Sequence, residues 1–73
     1  MSQTQEIQSV YFSNKYNPRK ARKYLAKLKL KPIKKVHRSE NGFRYRIQDP
    51  KKYKDFKSVS HEGNDVIFIY GIL

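Results

Sequence analysis

The chain has 73 residues, no cysteine, and seventeen Lys and Arg against six Asp and Glu, a net charge of +11. That length allows one small domain whose core must hold on apolar packing alone. Without cysteine there is no disulfide, thiolate metal site or cysteine nucleophile, and a charge of this sign selects polyanions as partners: nucleic acid, an acidic protein or an anionic surface.

The opening residues, MSQTQEIQ, are polar and lack the apolar run of a signal peptide. Residues 1–5 are therefore expected to be a mobile N-terminus and residues 6–73 a single domain. EIQSVYF then predicts a strand, with Ile7, Ser9 and Tyr11 on one face and Gln8, Val10 and Phe12 on the other. Apolar residues on both faces make it a central strand. Asn17 is a good helix N-cap and Pro18 suits the first helical position. Ala21, Tyr24, Leu25 and Leu28 form one apolar stripe, so a helix is expected from Pro18 to near Lys29. Leu30 would then pack as the chain turns, and Pro32 enforces the stop.

IKKVHRSENGFRYRIQ predicts a β-hairpin, with strands at 33–38 and 43–48 and Asn41-Gly42 supplying positive φ in the turn. In the second strand Phe43, Tyr45 and Ile47 share the inner face, and Arg44, Arg46 and Gln48 the outer. DPKKYKDFKS is expected to be a polar connector with a helical turn that presses Tyr53 and Phe56 onto the core. HEGNDV predicts a turn. VIFIYGIL, apolar on both faces, predicts a strand inside the sheet, and it is too short to cross a bilayer as a helix. The expected fold is α+β: one amphipathic helix on a three- to four-stranded, mainly antiparallel sheet, in the order β-α-β-β-β. The expected core takes Val10, Phe12, Ala21, Tyr24, Leu25, Leu28, Val36, Phe43, Tyr45, Ile47, Tyr53, Phe56, Ile67 and Ile69, the inward member of each alternating pair being open.

Nothing in this composition points to catalysis. The histidines are His37 and His61, and HEGND lacks the second ligand of a zinc-helix motif. The carboxylates are scattered among lysines, with no acid–base pair, and no serine has a base at a recognisable spacing. Of the three glycines, Gly42 and Gly63 fall in expected turns, which are not phosphate loops. The expectation is a protein that is not an enzyme, with no cofactor and no metal.

Binding is the better-supported class. All the Lys and Arg fall between Lys15 and Lys57, so the positive charge belongs to the middle of the chain. The candidate nucleic-acid-binding residues are Arg19, Lys20, Arg22, Lys23 and Lys27 of the helix, Lys34, Arg44 and Arg46 of the hairpin, and Lys51 and Lys52 of the connector. Each cation that meets a phosphate releases a counterion, and arginine grips phosphate oxygens with a planar fork. No helix carries polar base-readers, so contacts would be electrostatic and not sequence-specific. The opposing class is a structural or protein-interaction module; a C-terminal strand left at an edge could take a partner strand.

The succession of IQSVYF, the lysine-rich ARKYLAKLKLKPIKKVH, ENGFRYRIQDPKKYKDFKS and a short apolar strand ending in Gly-Ile-Leu resembles a family of small uncharacterised domains. These occur in tailed phages, sometimes beside capsid-maturation proteases, and in large DNA viruses. The resemblance covers residues 6–73 and is strongest in FRYRIQDP and the aromatics of YKDF. The family pattern has Tyr before Phe and Gln directly after the second Arg, whereas here Phe43 precedes Tyr45 and Ile47 separates Arg46 from Gln48. The resemblance carries no functional residues. It implies a viral or phage accessory protein in the virion or the infected-cell interior, not secreted. The implied partner is nucleic acid, DNA ahead of RNA, with viral structural or host proteins as the alternative and no membrane.

Overall fold

The computed structural model describes residues 4–33 and 36–73. Five strands and one helix follow in the order β1 (Gln5–Ser13), α1 (Pro18–Lys27), β2 (His37–Ser39), β3 (Gly42–Arg46), β4 (Asp55–His61) and β5 (Val66–Ile72). All strand pairs are antiparallel, and the sheet order is β2-β3-β1-β5-β4. The α+β class and the lone helix agree with expectation, but the sheet has five strands where three to four were expected.

β1 is the central strand and begins at Gln5, one residue into the segment expected to be mobile. It pairs with both β3 and β5, which explains why both of its faces carry buried residues. The strand bulges between Ile7 and Ser9. There the Gln8 carbonyl accepts from the N–H groups of Ile47 (2.8 Å) and Gln48 (3.0 Å), and Gln8 Nε2 donates to the Gln48 carbonyl at 2.8 Å. The extra residue of the bulge thus anchors the chain as it leaves β3.

α1 starts as read. Asn17 Oδ1 accepts from Lys20 N at 2.8 Å, and Pro18 opens the first turn. The helix ends at Lys27, two residues earlier than expected, in a Schellman closure. Leu30 N–H donates to the Leu25 carbonyl (2.9 Å) and Lys29 N–H to that of Ala26 (3.0 Å). Lys29 takes the left-handed conformation, φ 59°, which glycine would adopt without the roughly 1–2 kcal/mol that a Cβ costs there. This reversal swings Leu30 onto the core and leaves Leu28, expected to be buried, 46% exposed.

The hairpin forms with a shifted register. Ser39 pairs with Gly42, so the turn residues are Glu40 and Asn41, not Asn41 and Gly42. Gly42 lies within β3, and its φ is not positive. Glycine is needed there for space: a Cβ would sit 2.1 Å from the Phe12 carbonyl oxygen. The first strand spans only His37–Ser39, and the lysines at 34 and 35 lie outside the described residues.

The connector holds the strand that was missed. Pro50–Lys52 is a single 3-10 turn capped by Asp49, and β4 follows as an edge strand. Its residues are exposed except for half-buried Val59. Phe56 is 45% exposed and not in the core. β5 lies between β1 and β4, as expected of an inner strand. Its parity, left open by the sequence, puts Val66 and Phe68 in the core in place of Ile67 and Ile69, which are half-buried on the other face.

The core lies between α1 and one face of the sheet. Val10, Phe12, Ala21, Leu25, Phe43, Tyr45, Ile47, Val66 and Phe68 form it, with Tyr16, Tyr24 and Leu30 packed against it. The opposite face of the sheet carries no α-helix among the described residues; the connector covers only its Gly71 end, through Tyr53, and Pro50 borders it.

Candidate nucleic-acid interface

The register defines the uncovered face as rows of side chains. One row crosses all five strands as His37, Arg44, Tyr11, Ile67 and Ser60. The next runs Arg46, Ser9, Ile69 and Ser58, and a third Glu6, Gly71 and Phe56. At about 4.8 Å between neighbouring strands the longest row spans about 19 Å.

Arg44 separates two hollows on this face. One, of about 230 Å³, is bounded by Gln8, Arg44, Arg46, Pro50, Phe56 and Ile69. The other, of about 160 Å³, is bounded by Tyr11, His37, Ser39 and Arg44. Arg44 Nε is covered yet has no hydrogen-bond acceptor among the described residues, and the same holds for Ser9 Oγ beneath the second row. A covered donor without an acceptor costs about 1–3 kcal/mol, which a ligand oxygen could recover.

The acid of this face is already matched. Glu6 Oε1 accepts from the Tyr53 hydroxyl at 2.9 Å and meets Lys52 Nζ at 3.0 Å. The hydrogen bonds from Lys52 and Tyr53 hold the Glu6 carboxyl below its ordinary range. Tyr53 is buried as expected, but outside the helix-side core: its ring lies flat against Gly71. Burial, and then the bond to Glu6, push its phenol up to about 12. The stability gained from a raised acid is full below its unfolded value near 10 and is lost as pH rises toward 12. A tyrosinate absorbance titration should therefore show a late step that Tyr53→Phe removes; a late step that survives the substitution would mean that another phenol carries it.

The ten candidate cations do not form one surface. Lys20, Lys23 and Lys27 gather around Tyr24 on the helix, lining a shallow hollow there. Arg19 is exposed on the same helix, and Arg22 flanks a separate groove with Leu25, Leu30 and Lys31. Arg44 and Arg46 lie across the sheet, on the face away from the helix. Lys51 is exposed on the 3-10 turn, and Lys52 is engaged by Glu6. Lys34 lies outside the described residues. Sequence reasoning missed Tyr11, His37 and Phe56 as members of the arginine face. The signal for Tyr11 was its place on the face of β1 opposite Val10 and Phe12; nothing local marked Phe56.

Among the described residues no group of three or more His, Asp or Glu is placed to hold a metal ion, and no helix is long and apolar enough to cross a membrane. Comparison with known protein families, characterised proteins and solved structures gives no match.

Proposed function

We propose that this chain is a small, basic, non-catalytic protein that binds nucleic acid through electrostatic phosphate contacts with little sequence preference. The observation that carries the reading is the lack of internal neutralisation. Among the described residues only Lys15 and Lys52 meet a carboxylate, at 3.7 and 3.0 Å, so the other cations of helix and sheet have no acidic partner among those residues. Such a field favours phosphate backbones and needs no base-reading helix. The resemblance to phage and large-virus domains points to packaged or replicating genomes as the setting, with DNA ahead of RNA. The test is binding to unrelated DNA across a salt series. Micromolar affinity at low salt is expected, with a log–log slope corresponding to about four to seven phosphates. No binding at about 50 mM salt, or a slope near zero, overturns the reading.

A virion structural or protein-interaction module is the second reading. It rests on β4, an exposed edge strand of seven residues whose outer backbone groups could take a partner strand. The C-terminal strand cannot serve that purpose, because β5 is paired on both sides.

A further inference from the structure

The nucleic-acid reading leaves open which form is bound and by which side of the sheet. Resting on that reading, we propose that the uncovered sheet face is a platform for single-stranded nucleic acid, with bases on Tyr11 and Phe56 and the backbone on Arg44 and Arg46. Four observations converge on it. Phe56 is a large apolar side chain left 45% exposed on a face that also carries Arg44, Arg46, Ser58 and Ser60, with one side of it against the Tyr53 ring at 6.0 Å. Tyr11 leans along the sheet: its hydroxyl comes within 2.8 Å of where a Cβ on Gly42 would stand. Arg44 pairs directly across from Tyr11, and Arg46 lies one row toward Phe56, which stands three strands away on β4 but borders the same hollow as both arginines. Finally, Arg44 Nε is a covered donor with no acceptor among the described residues, beside two hollows.

This chemistry distinguishes a single strand from a duplex. In a duplex the base faces are stacked on one another, and only phosphates and groove edges are offered. An unpaired strand offers ring faces, which aromatic side chains take up irrespective of sequence. A sheet face bearing half-buried Tyr11 beside Arg44, and exposed Phe56 across a hollow from Arg44 and Arg46, uses both properties of a single strand. The lysines of α1 surround one half-buried aromatic, Tyr24, whose ring is packed against Phe12 and Phe68, so they use mainly the single strand's charge. An acidic protein would match the arginines but would leave Tyr11 and Phe56 without a flat partner. The sole carboxylate in these rows, Glu6, is held by Lys52 and Tyr53 and does not repel a backbone.

The test measures fluorescence anisotropy of labelled oligothymidylate, oligouridylate and duplex DNA of about 12 nucleotides, a length that one binding platform can span. The thermal midpoint of each variant is checked alongside. Wild type should bind the single strands more tightly than the duplex, and oligothymidylate should quench its tyrosine emission. Phe56→Ser, at an exposed position, should weaken single-strand binding about fivefold or more and leave duplex binding unchanged. Tyr11→Leu should remove most of the quench. Arg44→Gln with Arg46→Gln should weaken single-strand binding more than Lys20→Gln, Lys23→Gln and Lys27→Gln together, although the latter removes more charge. Equal affinity for duplex and single strand, or unchanged single-strand binding by a folded Phe56→Ser variant, overturns the platform and leaves the electrostatic reading intact. Binding lost in the lysine variant alone does the same. Failure of wild type to bind any of the three probes overturns the proposed function itself.

Discussion

Gly71→Ala is expected to destabilise the protein by about 3 kcal/mol, the upper end of what overpacking costs and a large share of what so small a domain can hold. A Cβ at this position would stand 2.3–2.5 Å from three ring carbons of Tyr53. Either the inner strand β5 shifts or the tyrosine leaves. If the strand shifts, pairing to both β1 and β4 is strained; if the tyrosine leaves, its burial and its bond to Glu6 are lost together. Gly63→Ala is the informative contrast. Gly63 has φ +63° but nothing within 4 Å of its Cβ position, so alanine there costs only the conformational penalty of about 1–2 kcal/mol. Urea denaturation of both variants separates the two kinds of glycine requirement. A Gly71→Ala cost no greater than that of Gly63→Ala would mean that the Tyr53 ring can move freely. Pairing Gly71→Ala with Tyr53→Ala should recover part of the loss, because the clash is then removed.

Phe12→Ala should cost about 3–5 kcal/mol and leave the chain largely unfolded at moderate denaturant. Phe12 is fully buried, and the rings of Tyr16, Phe43, Tyr24 and Tyr45 stand 5.2, 5.7, 5.8 and 6.0 Å from its own. These partners come from the loop after β1, from β3 and from α1, so the ring ties the helix to the middle of the sheet. Removing it leaves a cavity walled by large rigid rings, which collapse poorly. Leu28→Ala is the control at a position with the same sequence-level claim to the core. Leu28 is 46% exposed, and its truncation should change stability by no more than about 0.5 kcal/mol. Chemical denaturation with equal slopes for all three proteins would confirm that the native packing, and not the denatured chain, is what changed. A Phe12→Ala cost near that of Leu28→Ala would place the core elsewhere.

The legible parts of the fold were those with a strong local cause. Asn17 and Pro18 announce the helix start because their side chains act on the backbone beside them. Phe43, Arg44, Tyr45 and Arg46 alternate cleanly, and the structure keeps them on the faces so assigned. The centrality of β1 and β5 follows from apolar residues on both faces of each. The missed parts have non-local causes. DFKSVSH does not alternate in hydropathy because it is an edge strand with little to bury, and its pairing with β5 alone makes it a strand. VIFIYGI is apolar at almost every position, so neither parity is favoured until the β1 and β4 registers choose Val66 and Phe68 for the core. Leu28 loses its place in the core, while Leu30 packs as expected, because the Schellman closure turns the chain at Lys29, where no glycine signals it.

By itself the sequence determined a small α+β domain, cationic through its middle, with Arg44 and Arg46 on the face of their strand opposite Phe43 and Tyr45. Those properties follow from charge, capping and two-residue periodicity, all of which act within a few residues. Only the tertiary structure decided that the helix lysines and the two arginines stand on opposite sides of the sheet, and that Tyr11 and Phe56 join the arginines. The reason is topological. Which residues share a face across five strands depends on strand order, register and the bulge beside Gln8, and these are set by contacts between segments far apart in the chain.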